Sequence, residues 1–410
     1  MSQYQRWQTP IITNGLKTRR IVIIAGARQC GKTSLTKLLV TKNVTYRSLD
    51  NDAWLRIAKT DPHEFIKHQN QLMIIDEVQK AVDLLPAMKM AVDEDTRPGQ
   101  FLLTGSANLA SLPTVTESLA GRIRKIPLRP LAQGEILNHQ PDFLGKVFSH
   151  HFRELKPQKL SRDEIIEIAL RGGYPEPLVF SSYIRSVWHE DYINALLDKD
   201  LSEITNIKKR SAMEDLIRIV ASWSTKLIDL TAIGSGLSIQ RHTLESYLNA
   251  LAALYLIDHV RPYLKSDYDR IGKKSKLIIN DSGLMASLLN WNLENIRFNG
   301  DSVGKLIETH VGNELQKHID HTEHRCKLYY YRDRDHREID FLIENHNGDL
   351  VGIEVKASTS ADTPDFKHLK WFKENIAPKD KKFAGIVLHT GDITTSFGNG
   401  MWAIPISTLY

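Results

Sequence analysis

The stretch IVIIAGARQCGKTSLTKLL, residues 21–39, decides how the first third of the chain folds. It opens as a run of β-branched residues, breaks into a glycine-bounded loop, and resumes with leucines at 35, 38 and 39. That order predicts a short buried strand, a tight loop and an amphipathic helix. The loop fits G-x-x-x-x-G-K-[ST] as Gly26, Gly31, Lys32 and Thr33, and it has the strand before and helix after that the motif needs. Glycines let successive backbone N–H groups curl around phosphate oxygens, and the helix start adds partial positive charge. The expected ATP-binding segment is therefore Gly26, Ala27, Arg28, Gln29, Cys30, Gly31, Lys32, Thr33 and Ser34. Lys32 is expected at the β- and γ-phosphates, and the Thr33 hydroxyl on Mg²⁺.

Downstream, LMIIDEVQ gives a buried parallel strand with Asp76 and Glu77 at its C-terminal end, where open α/β sheets bind ligands. Asp76 is expected to hold Mg²⁺ through water and Glu77 to orient the attacking water as general base. A further strand in QFLLTGSAN carries Thr104 and Ser106 at its end. They suit either a sensor of the γ-phosphate or ordinary turn chemistry around Gly105. Arg122, in SLAGR, suits the positive charge that phosphoryl transfer requires, in cis or from a second copy; a surface arginine is the other reading.

The composition is that of a multidomain globular chain. At 410 residues, roughly two to four domains are expected. Two cysteines, Cys30 and Cys326, make no disulfide framework. The stretch MSQYQRWQTP has no apolar h-region, and no apolar run reaches the ~18 residues of a membrane span. A cytoplasmic protein without a membrane partner is expected. Of the net charge of +5, the basic excess sits in residues 1–135, with 19 Lys and Arg against 12 Asp and Glu. Short runs such as Lys208-Lys209-Arg210 and Lys273-Lys274-Ser275-Lys276 read as solvated surface.

The succession YQRW, GARQCGKT, IIDEVQ, LLTGSAN, ESLAGR and GGYPEP, with DSGL, YYYRD and EIDFLI later, resembles the prokaryotic AAA-type ATPases fused to a C-terminal domain of unknown function. The resemblance covers nearly the whole chain and implies an ATP-binding switch or motor. Cys30 departs from the small aliphatic residue expected at its position; it is expected to face away from the phosphates.

Beyond residue 135 the pattern turns helical, with 161–171 and 181–205 as amphipathic helices forming a lid and GGYPEP as a turn between segments. Residues 212–264 read as helix, short helix, Gly-Ser-Gly turn and longer helix, followed by a strand in YLIDHVRPYL. This is a winged-helix arrangement, with Gln240, Arg241, Thr243 and Glu245 as groove-facing candidates, or the same module serving protein contact. His318, His321 and His324 do not converge on one helix face and have no Cys or Asp motif to complete a zinc site; a solvated helix end is expected.

In VGIEVKAS, residues 351–358, Glu354 and Lys356 interrupt an apolar strand on one face. With the amphipathic helix bearing Glu308, the strands KLYYYRD and REIDFLIE, and Asp340, the pattern resembles the PD-(D/E)XK nuclease core. Asp340 and Glu354 are the expected Mg²⁺ ligands, with the Val355 carbonyl, and Lys356 the expected catalytic cation; Glu308 is a further candidate. The alternative is an internal ion pair of Glu354 with Lys356, or with Arg332 and Arg337.

The expected fold is α/β throughout: a P-loop AAA-type ATPase core (1–150), a helical lid (151–206), a winged-helix module (207–270) and a mixed α/β restriction-endonuclease-like domain (271–410). The expected function is ATP hydrolysis coupled to metal-dependent cleavage of DNA or RNA, in a homo-oligomer where Arg122 acts in trans. The alternative is an ATP-gated switch whose C-terminal fold is non-catalytic.

Overall fold

The computed structural model describes residues 4–105, 119–200, 210–237, 239–264, 273–322 and 325–410. Ser106 and His324 lie outside them. The chain forms two compact units, residues 1–131 with 253–255, and residues 132–252 with 256–410.

The first unit is built on five parallel strands, β1 (Ile21–Ala25), β2 (Val44–Ser48), β3 (Leu72–Asp76), β4 (Phe101–Gly105) and β5 (Ile123–Pro127), in the order β2-β3-β4-β1-β5. Alternate residues supply opposite faces. Ile21, Ile23, Met73, Ile75 and Leu103 join Leu84, Leu85 and Met88 of helix Leu84–Glu94 on one side. Val22, Ile24, Ile74 and Leu102 join Ile12 and Leu35 on the other. Burial on both faces explains why these strands are continuous apolar runs. Because all five run the same way, the turn after β1, Asp76 and Thr104 share one edge of the sheet.

The second unit carries an eight-stranded sheet ordered β12-β13-β11-β10-β9-β8-β6-β7. Its strands are β6 (Ile257–Pro262), β7 (Lys276–Ile279), β8 (Lys327–Arg332), β9 (Glu338–Glu344), β10 (Leu350–Val355), β11 (Phe383–His389), β12 (Thr395–Ser396) and β13 (Met401–Pro405). Helix Gly300–His321 covers part of the sheet through Leu306, Ile307, Val311 and Leu315, all buried. A Cβ at Gly312 would lie 2.9 Å from Phe341 and 3.1 Å from Ile278, so glycine lets this helix sit directly on β9 and β7. Helix Lys367–Asn375 packs Leu369 and Phe372 into the core formed by Tyr331, Leu342, Leu350 and Phe383.

Helices Arg210–Trp223, Leu230–Gly234 and Arg241–Ala253 precede the antiparallel β6–β7 pair, and Leu227 makes an antiparallel bridge to Lys276. Asp229 caps the middle helix at the N–H groups of Thr231 and Ala232. β6 also pairs with β8, so this module shares one sheet with the strands that follow it. Helix Arg162–Arg171 starts at a Ser161–Glu164 capping box. The helix expected over 181–205 is α-helical over Ser182–Ala195 and widens to a π turn at Leu196–Asp200; 201–209 lie outside the described residues. GGYPEP turns against DSGL, the Gly173 N–H donating to Asp281 at 2.7 Å while Asp281 caps helix Ser282–Leu288 at Leu284.

Two surface assignments are overturned. His318 is buried, its Nε2 2.9 Å from the Leu409 carbonyl, because helix Gly300–His321 runs through the core up to its last turn. Lys276, the last residue of the basic run at 273–276, is buried as the first residue of β7.

Candidate functional site

The loop after β1 is shaped by its backbone. Gly26 admits no side chain, since a Cβ there would overlap the Leu128 carbonyl. Gln29 and Gly31 adopt positive φ of 62° and 96°, a curl that turns successive N–H groups inward. Lys32 begins helix Lys32–Leu38, and its Nζ donates to the carbonyls of Gly26 at 3.0 Å and Ala27 at 2.8 Å, which spans the loop mouth with a cation. Cys30 directs its sulfur to the Leu128 carbonyl, 3.3 Å away, in the core.

Asp76 ends β3, buried against the loop. Its Oδ1 accepts from Thr33 at 3.3 Å and from Thr104, and its Oδ2 accepts from the Tyr46 hydroxyl at 2.9 Å. Burial, then Asp76, raises the Tyr46 phenol above its ordinary pKa, so it remains a donor. Thr104 also accepts from the Glu77 N–H at 3.1 Å. Glu77 itself sits at φ +60°, a strained conformation for a non-glycine residue, and accepts from Gln79 through Oε2. Thr33, Asp76, Glu77 and Thr104 thus stand together beside the loop.

Arg122 does not join them. Its carbonyl accepts from the Ile21 N–H at the start of β1, whereas the loop follows the end of β1, about 16 Å away along five strand residues. Its guanidinium is held by Asp93, with Nη2 donating at 2.9 Å. Two residues that sequence reasoning gave no role stand close to the site. Tyr46 lies on a half-buried edge strand with no motif around it. Arg6, in YQRW, donates to the carbonyls of Cys30 at 2.7 Å and Arg129 at 2.6 Å and so ties the loop to the turn after β5.

In the second unit the carboxylates gather where β9 and β10 splay. The antiparallel ladder ends at Ile353 opposite Phe341, and β9 bulges at the Asp340–Phe341 step, two residues opposite Tyr330 of β8. Bulges re-aim side chains. Here Asp340 turns so that Oδ2 accepts from the Val355 N–H at 2.9 Å. Lys276 lies at the centre, its Nζ 3.0 Å from Glu308 Oε1, 3.3 Å from Glu338 Oε1, 3.9 Å from Asp340 Oδ1 and 3.3 Å from the Asp340 carbonyl. Burial alone would lower the Lys276 pKa, but Glu308, Asp340 and Glu338 outweigh it and hold the amine charged. Burial raises Glu308 to about 7 against the pull of Lys276.

Glu354 is buried, and its Oε1 has no hydrogen-bond partner; burial first, then Asp340, raises it well above the usual carboxylate range. Lys356 lies just past β10, 3.7 Å from Asp365. Arg332 pairs with Glu338 at 3.4 Å, and Arg337 with Asp333 and Asp335, each at 2.7 Å. Neither arginine pairs with Glu354. Among the described residues no group of three or more His, Cys, Asp or Glu is arranged to hold a metal ion. Of the groove-facing candidates, Gln240, Arg241 and Glu245 are exposed and Thr243 is half-buried, and Arg241 pairs with Glu245 at 3.2 Å. No helix of the described residues is long and apolar enough to cross a membrane.

Residues 18–137 match a family described as an AAA domain. The first unit thus carries a region similar to AAA domains. Residues 162–295 and 303–409 match two families described as domains of unknown function, DUF8612 and DUF4143. Two uncharacterized proteins, of Mycobacterium bovis and Mycobacterium tuberculosis, are each 25% identical over 342 residues, 83% of this chain and 71% of theirs. Similar solved structures include a RuvB variant of Thermotoga maritima, 17% identical over 60% of this chain and 84% of that one with a TM-score of 0.27. A DNA replication initiation factor is 14% identical over 73% and 90%, with a TM-score of 0.24.

Proposed function

We propose that this protein binds and hydrolyses ATP with Mg²⁺ and couples that cycle to a nuclease-like C-terminal domain acting on DNA or RNA. The observation that carries the ATP reading is the convergence of Thr33, Asp76, Glu77 and Thr104 beside the glycine loop spanned by Lys32. Lys32 exchanges two loop carbonyls for phosphate oxygens. Thr33 and Asp76, already 3.3 Å apart, form an oxygen donor set suited to Mg²⁺, which would neutralise charge on the phosphates. Glu77 orients water, with its backbone fixed through Thr104. A Mg·ATP titration in which Lys32→Ala binds like the parent would remove this reading.

Arg122, distant from the loop of its own copy, is read as acting in trans within a homo-oligomer. We read the chain as four modules, 1–150, 151–206, 207–270 and 271–410, and the helices of the third, with its strand β6 pairing with β7 just beyond it, support a winged helix. For the fourth, the succession of helix Gly300–His321, β8, β9, β10, helix Lys367–Asn375 and β11 supports the PD-(D/E)XK reading, with Asp340 and Glu354 as divalent-ion ligands and Lys356 beside the scissile phosphate. The unpartnered Glu354 Oε1 fits such an ion. A second reading, a non-catalytic interaction module, is favoured by the Lys276 ammonium among Glu308, Glu338 and Asp340. Cleavage assays on several nucleic acids with Mg²⁺ or Mn²⁺, with and without ATP, separate the two: cleavage lost in Asp340→Ala supports the first, and none by the parent supports the second.

A further inference from the structure

The carboxylates at the β9–β10 splay need a cation, and the chain itself supplies one. The Lys276 side chain is 1% exposed and enters the cluster from β7, an element the nuclease-like pattern does not include. Its ammonium touches Glu308 and Glu338 and both the side chain and the carbonyl of Asp340, and the rings of Phe341 and Tyr330 lie 5.6 and 5.9 Å from it. Four acceptor oxygens from three residues, two flanking aromatic faces and near-complete burial form a built site for a monovalent organic cation. A divalent ion shared by Glu308 and Asp340 would need the space the ammonium fills. The second oxygen of Asp340 is engaged by the Val355 N–H. Of the other nearby cations, Lys356 faces Asp365, and Arg332 pairs with the second oxygen of Glu338 at 3.4 Å.

We propose that Lys276 is the resident cation of this cluster, so that the C-terminal domain is charge-compensated and folded without a divalent ion, and that withdrawing Lys276 opens a divalent-ion site. The proposal rests on one part of the second reading of the domain, that it holds no catalytic divalent ion. Breaking a buried ion pair on one side leaves uncompensated charge. Without Lys276, the carboxylates of Glu308, Glu338, Asp340 and Glu354 become an oxygen-rich site of the type that hard divalent cations occupy.

The test is Mn²⁺ binding to the nucleotide-free full-length protein, followed by electron paramagnetic resonance, in the parent, Asp340→Asn, Lys276→Met and Lys276→Met/Asp340→Asn. The parent and Asp340→Asn should be indistinguishable. Lys276→Met should gain one bound Mn²⁺ that the parent lacks, and adding Asp340→Asn should remove it. The same Mn²⁺ should raise the melting temperature of Lys276→Met and leave that of the parent unchanged. A parent site abolished by Asp340→Asn overturns the proposal, as does a folded Lys276→Met protein with no gain. Should Lys276→Met fail to fold, the comparison of parent with Asp340→Asn decides alone. Metal-dependent cleavage by the parent that Asp340→Asn abolishes overturns both the proposal and the non-catalytic reading. Cleavage that persists in EDTA and needs Asp340 removes only the non-catalytic reading and supports Lys276 as the resident cation.

Discussion

The Tyr46 hydroxyl donates a 2.9 Å hydrogen bond to Asp76, the acid at the end of the neighbouring strand. Asp76 is 1% exposed, so each donor around it offsets the cost of burying its carboxylate. Thr33 and Thr104 hold one oxygen and Tyr46 the other. Tyr46→Phe removes that bond and keeps the ring. Loss of about 1.4 kcal/mol of orientation lowers ATP turnover about tenfold, with a smaller change in Mg·ATP affinity. Unchanged turnover in steady-state kinetics would count against a role for Tyr46 in setting Asp76.

Arg122 stands at the edge of its sheet opposite the nucleotide loop and is paired with Asp93 there. Action on its own P-loop would require it to cross about 16 Å. Specific ATPase activity is therefore expected to rise with protein concentration. Mixing Arg122→Ala with Lys32→Ala should recover part of the activity, since one protomer supplies the arginine and the other an intact loop. Rates independent of concentration, with no recovery on mixing, would leave Arg122 as a structural partner of Asp93.

The buried histidines of the second unit make it acid-sensitive. Burial, reinforced by Arg185, lowers His189 to about 3; burial lowers His310 to about 4, with Glu314 opposing it and Lys317 and Arg171 adding to it. Both are held neutral, His189 Nδ1 2.7 Å from Ser287 Oγ and His310 Nε2 2.9 Å from the Tyr410 hydroxyl. Because the folded state refuses the proton that the unfolded chain takes near 6.5, stability is full above that pH and falls as pH drops towards 4. The cost at pH 5 is about 2 kcal/mol for each histidine. Urea midpoints at pH 7.5 and 5.0 should differ accordingly, and His310→Gln should reduce the difference. A parent midpoint independent of pH would contradict this.

The parts of the fold legible in the sequence are those whose burial is local in sequence. β1, β3 and β4 read as strands because both faces of a parallel sheet are covered, so no polar residue interrupts them. The acids at 76, 77, 340 and 354 were legible as polar residues at strand ends or within apolar runs. Edge strand β2, VTYRS, is half-buried and mixed in polarity, and Tyr46 was hidden with it. Lys276 reads as one more charge in a basic run, because its partners Glu308 and Asp340 lie 32 and 64 residues further along the chain. His318 reads as solvated for a similar reason: its partner is the Leu409 carbonyl, 91 residues away. Single-sequence periodicity carries no signal for such pairings.

ATP hydrolysis at the loop of residues 26–33, with Glu77 positioning the attacking water, is the central proposal. The most direct measurement compares Mg·ATP binding and phosphate release in the parent, Lys32→Ala and Glu77→Gln. Glu77→Gln keeps the size and backbone geometry of the residue while removing its basicity. The parent should release phosphate, Glu77→Gln should bind Mg·ATP within about threefold of the parent but release phosphate at least about a hundredfold more slowly, and Lys32→Ala should lose most binding. Parent-like turnover in Glu77→Gln, or parent-like binding in Lys32→Ala, would contradict it.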